Sequence, residues 1–253
     1  MDSNITNVFV YTGQPLESIP EDITHVRVAS HVEMIDVDGH TFGHCYELVN
    51  VELNDGLKII GPESFSDCQS LENITLPSTV KDLGLGAFHY CVNLVNVELN
   101  EGLVSIERST FCCCESLERV IIPSTVKDIQ LQAFAFCTNL ASVHLNEGLE
   151  IIGELAFQCC ESLETIIIPS TVKKILHEAF HGCTNLVNLR LNEGLSTIDY
   201  YSFDGCLSLE HVLIPSTVVD IADGPFEDCP RLVAVEFSDE IEEFVSETAL
   251  QEW

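Results

Sequence analysis

The stretch HEAFH, from His177 to His181, has the residue types and spacing of a zinc hydrolase motif. In an H-E-x-x-H motif, two histidines one helical turn apart bind zinc and the glutamate between them activates water. That chemistry requires a sustained helix, a cleft and a third metal ligand from elsewhere in the chain. Whether HEAFH is a zinc site therefore depends on the secondary structure that contains it, which the rest of the sequence indicates.

The chain contains an internal repeat of 23 residues. Each repeat has a cysteine, with a phenylalanine three residues before it and a leucine three residues after it. A fixed period of this length is typical of a solenoid, in which each repeat is one supersecondary unit that stacks on its neighbours. The repeating cysteines are Cys45, Cys68, Cys91, Cys114, Cys137, Cys160, Cys183, Cys206 and Cys229.

One repeat is the segment Ile122 to His144, IPSTVKDIQLQAFAFCTNLASVH. Its LxxVxL portion, from Leu140 to Leu145, alternates apolar and polar residues and predicts a short strand with one buried face. Proline, serine and threonine in IPSTV predict a turn. The part around AFAFC is too short for a stable helix and predicts a tight turn or a short 3₁₀ segment.

These motifs resemble the BspA-type leucine-rich repeat family, whose units read approximately IPxxVxxIGxxAFxxCxxLxxV. The resemblance extends from about Ile23 to Phe237. It implies a right-handed solenoid with a parallel sheet along one face, in proteins that often act at microbial surfaces or in adhesion. We therefore predict an α/β, β-rich fold: a leucine-rich repeat solenoid of about ten coils, with the parallel sheet on one face and short turns or 3₁₀ helices on the other.

The sequence predicts three parts. Residues 1–22 form an N-terminal cap with an extra strand near VFVYTG, and residues 23–237 form the solenoid, with a two-residue insertion within Asp36–Thr41. Residues 238–253 form a partial repeat or a capping helix, because the apolar residues of this tail have helical spacing. We expect the protein to be a monomer.

The repeat argues against the zinc hydrolase hypothesis. Phe180 is the repeating phenylalanine of its unit, and the position of His177 is occupied elsewhere by Pro62 or Arg108. The position of His181 is occupied by Ser66 or Ala135. Because these positions vary freely on a short turn, we predict no catalytic residue, no metal site and no cofactor. A weak metal site at the two histidines of HTFGH is the alternative that stays open.

The cysteines are expected to be structural. Those of the repeat are predicted to pack as small buried groups, and the Cβ directions of stacked coils are poorly suited to disulfides. In FCCCESL, Cys114 belongs to the repeat, whereas Cys112 and Cys113 occupy variable positions. A metal or redox role for the cysteines is the less favoured alternative.

Charge excludes several classes of partner. The 253 residues carry a net charge of −31, with 10 Lys and Arg against 41 Asp and Glu. Such a surface repels nucleic acid and anionic membranes. No apolar run approaches the roughly 20 residues of a membrane span, and the N-terminus lacks the features of a secretory signal. The sequence leaves the compartment undetermined, and we take the cytoplasm as the default expectation.

The outward residues of the predicted strands are the candidate binding site. Three of the five arginines lie there, and Ile121, Ile167 and Leu213 expose apolar surface on alternate strands. This mixture suits recognition of a protein or peptide of unknown identity. The candidate partner-binding residues are Asn96, Glu98, Arg119, Ile121, Ser142, His144, Thr165, Ile167, Asn188, Arg190, His211 and Leu213.

Other interpretations of the outward face remain open. The alternation of apolar residues also follows from duplication of two repeats at a time, without selection for binding. A structural or adhesive solenoid that binds glycans or cations is the alternative function. A β-helix-like carbohydrate-active enzyme is a third hypothesis, but it needs clustered carboxylates in a groove, which the outward positions do not supply.

Overall fold

A computed structural model describes residues 8–13, 19–20, 22–35 and 40–238. All regular secondary structure in these residues consists of short strands joined by turns. In chain order the strands are β1 Val8–Tyr11, β2 His25–Val28, β3 Met34–Ile35, β4 Asn50–Glu52, β5 Ile59–Ile60, β6 Asn73–Thr75, β7 Asp82–Leu83, β8 Asn96–Glu98, β9 Ser105–Ile106, β10 Arg119–Ile122, β11 Asp128–Ile129, β12 Ser142–Leu145, β13 Ile151–Ile152, β14 Thr165–Ile167, β15 Lys174–Ile175, β16 Asn188–Arg190, β17 Thr197–Ile198, β18 His211–Ile214, β19 Asp220–Ile221 and β20 Ala234–Phe237.

The front face of the solenoid consists of β1, β2 and the even-numbered strands from β4 to β20. Its strands are hydrogen-bonded in three groups, β1-β2-β4, β6 to β16 in order, and β18-β20. Every pairing is parallel and advances by one coil; Ile121 of β10, for example, pairs with His144 of β12. Residues at the same position in successive repeats therefore lie side by side, as the period predicts.

A second row of parallel strands forms the back face. It contains the odd-numbered strands from β3 to β19, each two residues long, and Ile129 of β11 pairs with Ile106 and Ile152 on either side. The sequence predicted only turns or 3₁₀ helices away from the front sheet. Turns do occur there, but no helix is present in the described part of the chain, and the segment after each Pro-Ser-Thr turn pairs as a strand.

The third side of each coil is a turn centred on the repeating phenylalanine. Residues two before and two after it have positive φ; Gln132 (57°) and Phe136 (60°) flank Phe134 in this way. This region is unfavourable for residues with a Cβ. It is maintained by hydrogen bonds between coils, because the Phe134 N–H donates to the Ala156 carbonyl at 2.8 Å and its two flanking N–H groups donate to the same following coil. The stack therefore imposes the conformation of this turn.

The core contains one continuous row of phenylalanines. From Phe42 to Phe226, neighbouring rings lie 5.2–5.5 Å apart between centroids, with planes 2–15° from parallel. All are buried. Stacked coils share this row, and each ring packs against a ring above and below. The predicted solenoid with aligned repeats is confirmed.

The repeating cysteines form a second row beside the phenylalanines. All are free thiols. From Cys68 onward, each thiol donates to the phenylalanine carbonyl of the preceding coil; Cys137 Sγ, for example, lies 3.2 Å from the Phe111 carbonyl oxygen. Burial raises the pKa of Cys91 to about 12, so its thiol stays protonated and unreactive near neutral pH. The row thus adds a hydrogen bond to the predicted packing role.

At the N-terminal end, β1 pairs in parallel with β2, with Val8 opposite His25. It extends the front sheet by one strand before the first coil. Most of the predicted insertion, residues 36–39, lies outside the described residues, as does the predicted C-terminal helix in residues 239–253. The domain boundaries at residues 22 and 237 therefore stay a prediction.

Candidate functional site

The twelve predicted binding residues all lie on the front face, on strands β8 to β18. Each one is exposed. Because side chains alternate along a strand, the residue between each outward pair points inward and packs in the core. The apolar members are unusually open for their type: the exposed fraction is 60% for Ile121, 51% for Ile167 and 54% for Leu213.

Strand register brings these residues into two adjoining clusters. Arg119 pairs with Ser142 while Ile121 pairs with His144. Two strands further along the front face, Ile167 of β14 pairs with Arg190 of β16. A shallow depression of about 390 Å³ lies at this second cluster, and its lining includes Thr165, Ile167, Asn188, Arg190 and His211.

We call the outward residues of the front strands β2, β4, β6 and β8 the N-terminal half-face. Its polar groups bind one another across neighbouring strands. Arg27 forms an ion pair and two hydrogen bonds with Glu52, and the hydrogen bond lowers the pKa of that carboxyl. Asn96 Nδ2 donates to Asn73 Oδ1 at 2.9 Å. The charged and amide groups of this half are therefore largely satisfied within the protein.

We call the outward residues of the front strands β10, β12, β14, β16 and β18 the C-terminal half-face. Here the guanidinium of Arg119 has no hydrogen bond or ion pair within the described residues, and Arg190 Nε donates only to the amide oxygen of Asn192, at 3.2 Å. None of the outward positions of this half holds a carboxylate, although glutamates precede β10, β14 and β18 at the edge of the face. Two cationic groups without carboxylate partners thus lie among exposed aliphatic side chains.

The HEAFH segment lies on a phenylalanine turn and does not form the helix that the zinc motif requires. Glu178 has a φ of 52°, which no α-helical residue adopts. His181 Nδ1 lies 2.8 Å from Asp204 Oδ2, and His177 Nε2 lies 3.0 Å from Glu178 Oε1. The histidines pair with carboxylates locally, and the segment lacks the geometry of a zinc hydrolase.

The exposed carboxylates between the front and back faces have a structural role. Glu147 accepts hydrogen bonds from the Ser170 N–H and hydroxyl of the following coil, at 3.2 and 3.0 Å. Glu101 and Glu193 repeat the arrangement. The bond from the Ser170 backbone lowers the pKa of Glu147. These acids fix the start of the next Pro-Ser-Thr turn.

Sequence reasoning missed one further group, on the side of the phenylalanine turns. His89 and Cys112 directly follow the phenylalanine of consecutive coils, and Cys113 follows Cys112. One ligand atom from each of the three lies within 4.8 Å of the others. The signal in the sequence was the separation of His89 and Cys112 by one repeat, which places them side by side.

Comparison with known proteins agrees with this architecture. A model of the BspA type leucine rich repeat region matches residues 35–164 and 150–249, in six copies. The chain belongs to the BspA-type leucine-rich repeat family. None of the curated proteins matches the chain.

Solved structures of leucine-rich repeat proteins show the same fold. A leucine-rich repeat protein from Eubacterium ventriosum is 19% identical, with a TM-score of 0.58 over 81% of this chain and 76% of that one. The leucine rich repeat protein of T. pallidum is 27% identical, with a TM-score of 0.52 over 73% of this chain and 77% of that one. Both are leucine-rich repeat proteins, so the likeness supports the solenoid fold.

The BspA-type repeats of this chain fit a protein-interaction or adhesive solenoid, which is the role that the family and the solved structures support. Within the described residues, no helix has the length and apolar character needed to cross a membrane.

Proposed function

We propose that this chain is a non-enzymatic interaction module that binds an acidic, partly apolar segment of a protein on the C-terminal half-face. The observation that carries the proposal is the pair Arg119 and Arg190, which have no carboxylate partner among the described residues and lie beside three exposed aliphatic side chains. A partner that supplies carboxylates gains charge-assisted, bidentate hydrogen bonds from these guanidinium groups. The same partner can cover the aliphatic side chains.

The spacing of the face defines the partner further. Ile121, Ile167 and Leu213 lie on alternate strands, about 10 Å apart along the solenoid axis. Arg119 and Arg190 lie three strands apart, or about 14 Å. The segment therefore presents apolar groups at about 10 Å intervals and two carboxylates about 14 Å apart, and it runs across the strands.

The distribution of charge favours an acidic segment only on the C-terminal half-face. The chain as a whole carries −31 and repels acidic partners over most of its surface. The C-terminal half-face has two positive outward residues and no negative one. Repulsion elsewhere limits binding to this part of the front face, which contributes to specificity.

Support for a non-enzymatic role comes from the site itself. The depression at Arg190 is open and shallow, and the outward positions described here hold no cluster of carboxylates of the kind that glycoside hydrolysis uses. The family of repeat proteins to which the chain belongs agrees with this interpretation.

The proposal is tested by selecting binders from a displayed random peptide library with the full chain as bait. We expect enrichment of peptides that combine Asp or Glu with aliphatic residues. Arg119→Glu with Arg190→Glu should weaken the selected peptides at least about 100-fold, because each charge-assisted hydrogen bond contributes roughly 1.5–3 kcal/mol. Fluorescence anisotropy of labelled peptides measures the affinity.

The matched control is Arg108→Glu with Arg231→Glu. Both residues are exposed, lie outside the outward strand positions and change the net charge by the same amount. This variant should bind the peptides within about twofold of the parent, since charges beyond a Debye length are screened. Equal weakening by both double variants, or enrichment of neutral or basic peptides, contradicts the proposal. Binding on a glycan array instead would favour an adhesive solenoid.

A further inference from the structure

We propose that His89, Cys112 and Cys113 form a binding site for one zinc ion on the side of the phenylalanine turns. The site lies on consecutive coils and is separate from the C-terminal half-face. It does not depend on the function proposed above.

The donor atoms are already spaced for tetrahedral coordination. Cys112 Sγ and Cys113 Sγ lie 3.6 Å apart. Two sulfurs at the usual Zn–S distance of about 2.3 Å are separated by about 3.8 Å in a tetrahedral site. A histidine nitrogen lies within 4.8 Å of both sulfurs, so a small movement of side chains completes three of the four ligand positions.

The fold explains why adjacent cysteines can act together here. Cys113 occupies the second positive-φ position of its turn, at 61°, and every coil has this conformation. In a regular strand, neighbouring side chains point to opposite faces. The turn brings the two sulfurs together instead. Stacking then places His89 beside Cys112, because both directly follow the phenylalanine of their coils.

The chemistry of the donor set selects a thiophilic ion. Two thiolates and one imidazole are ligands that zinc prefers, whereas calcium and magnesium prefer oxygen. Burial lowers the pKa of His89, which keeps its imidazole neutral and able to bind metal near neutral pH. The charges of Glu63 and Asp67 act on the same imidazole and favour a nearby cation.

Zinc would replace the proton of the Cys112 thiol. Burial, with the charge of Cys113, raises the pKa of Cys112 to about 12, so this thiol is protonated without metal. A coordinated thiol is deprotonated, and zinc binding therefore releases the proton of Cys112. His89 and Cys113 are half-buried, so the group lies at the edge of the core and not in its interior.

The site is tested with the full chain, reduced and freed of metal by a chelator. Titration with Co²⁺ should give strong visible ligand-field bands of a tetrahedral ion and a thiolate charge-transfer band, saturating at about one ion per chain. Zinc should displace the cobalt. Calorimetry of zinc binding in two buffers of different ionisation enthalpy should report release of at least about one proton per ion, that of Cys112.

Cys113→Ser and His89→Gln should each lower the apparent zinc affinity more than about tenfold, the least that loss of supporting contacts costs a metal site. The matched control is Cys159→Ser, because Cys159 has the same turn position two coils away, a φ of 54°, and no such cluster in the part of the chain that the structure describes. It should leave cobalt spectra unchanged. Circular dichroism and thermal melting establish that each variant is folded.

Three results would overturn the zinc site. One is the absence of ligand-field bands when the reduced chain is titrated with stoichiometric cobalt. Another is an unchanged spectrum in folded Cys113→Ser and His89→Gln. The third is equal loss of binding in Cys159→Ser, which would assign the metal to cysteines in general.

Discussion

The two halves of the front face have the same interior and differ in how their outward charges are used. In the N-terminal half-face, Arg27 pairs with Glu52 and Asn73 pairs with Asn96 across the strands. In the C-terminal half-face, Arg119 has no such partner in the described structure, and aliphatic side chains are exposed beside it. One half pairs its arginine with a carboxylate, whereas the arginines of the other half have no carboxylate partner in the described residues.

This difference lies entirely in the outward residues, because the interior of the solenoid is the same in both halves. The phenylalanine and cysteine rows run through both halves with the same spacing and the same hydrogen bonds. The outward residues contribute little to that interior and are free to change. Ile121, Ile167 and Leu213 recur with a period of two repeats on alternate strands, and Thr75 is where the N-terminal half departs from that pattern.

The largest expected effect tests whether the two halves share one interior. Phe65→Ala and Phe157→Ala remove buried rings from the N-terminal and C-terminal parts of the row. Each should lower the free energy of unfolding by about 3–5 kcal/mol, because both leave a cavity between stacked rings. Urea unfolding followed by circular dichroism measures the loss. Val219→Ala, at a side chain that is 81% exposed, is the control and should change stability by less than about 0.5 kcal/mol.

A large difference between the two phenylalanine variants would contradict the equivalence of the halves. It would mean that stability is concentrated in one part of the stack. The two half-faces would then lie on interiors of different stability, and their outward residues could not be compared directly.

The next effect concerns the exposed aliphatic residues. Ile167→Ser should weaken the peptides selected in the library experiment by about tenfold, since partial burial of an isoleucine contributes about 1–1.5 kcal/mol. Its melting temperature should stay near that of the parent, because the side chain is 51% exposed in the free protein. Anisotropy and thermal melting give the two values.

Thr75→Ser, the corresponding outward position of β6, is the control for Ile167→Ser. It should change neither quantity. Stronger loss of binding at Thr75 than at Ile167 would place the ligand on the N-terminal half-face.

Much of the fold follows from the sequence because its period is rigid. A spacing of 23 residues fixes which residues stack, and alternation along LxxVxL fixes which face outward. The back strands were missed because two residues cannot show a period, and Pro-Ser-Thr before them indicates only a turn. The positive-φ positions were missed because Leu155 and Tyr201, which occupy two of them, are poor predictors of that conformation. Bonds between coils determine it.

The candidate site was predicted only in part. Exposure of the twelve outward residues follows from the strand period. Which arginine is paired does not, because pairing depends on the side chain one coil away: Glu52 faces Arg27, whereas Asn96 and Ser142 flank Arg119. The cluster of His89, Cys112 and Cys113 was missed for a similar reason, since each variable position was compared across all coils instead of with its immediate neighbour.

The smallest expected effect distinguishes the arginines by their contribution to stability. Arg27→Gln should lower the melting temperature by less than about 2 °C, because exposed ion pairs contribute little. Arg119→Gln should leave it unchanged, since no carboxylate pairs with that residue in the described structure.

The pKa of Glu52 is lowered in the folded protein, so the contribution of the Arg27–Glu52 pair is present above the ordinary glutamate pKa and is lost as the pH falls through the lowered value. The difference between Arg27→Gln and the parent should therefore be present at neutral pH and disappear as the pH falls below the ordinary glutamate pKa and through the lowered one. Thermal melts across that range measure it, and an effect of Arg119→Gln as large as that of Arg27→Gln would remove the distinction between the half-faces.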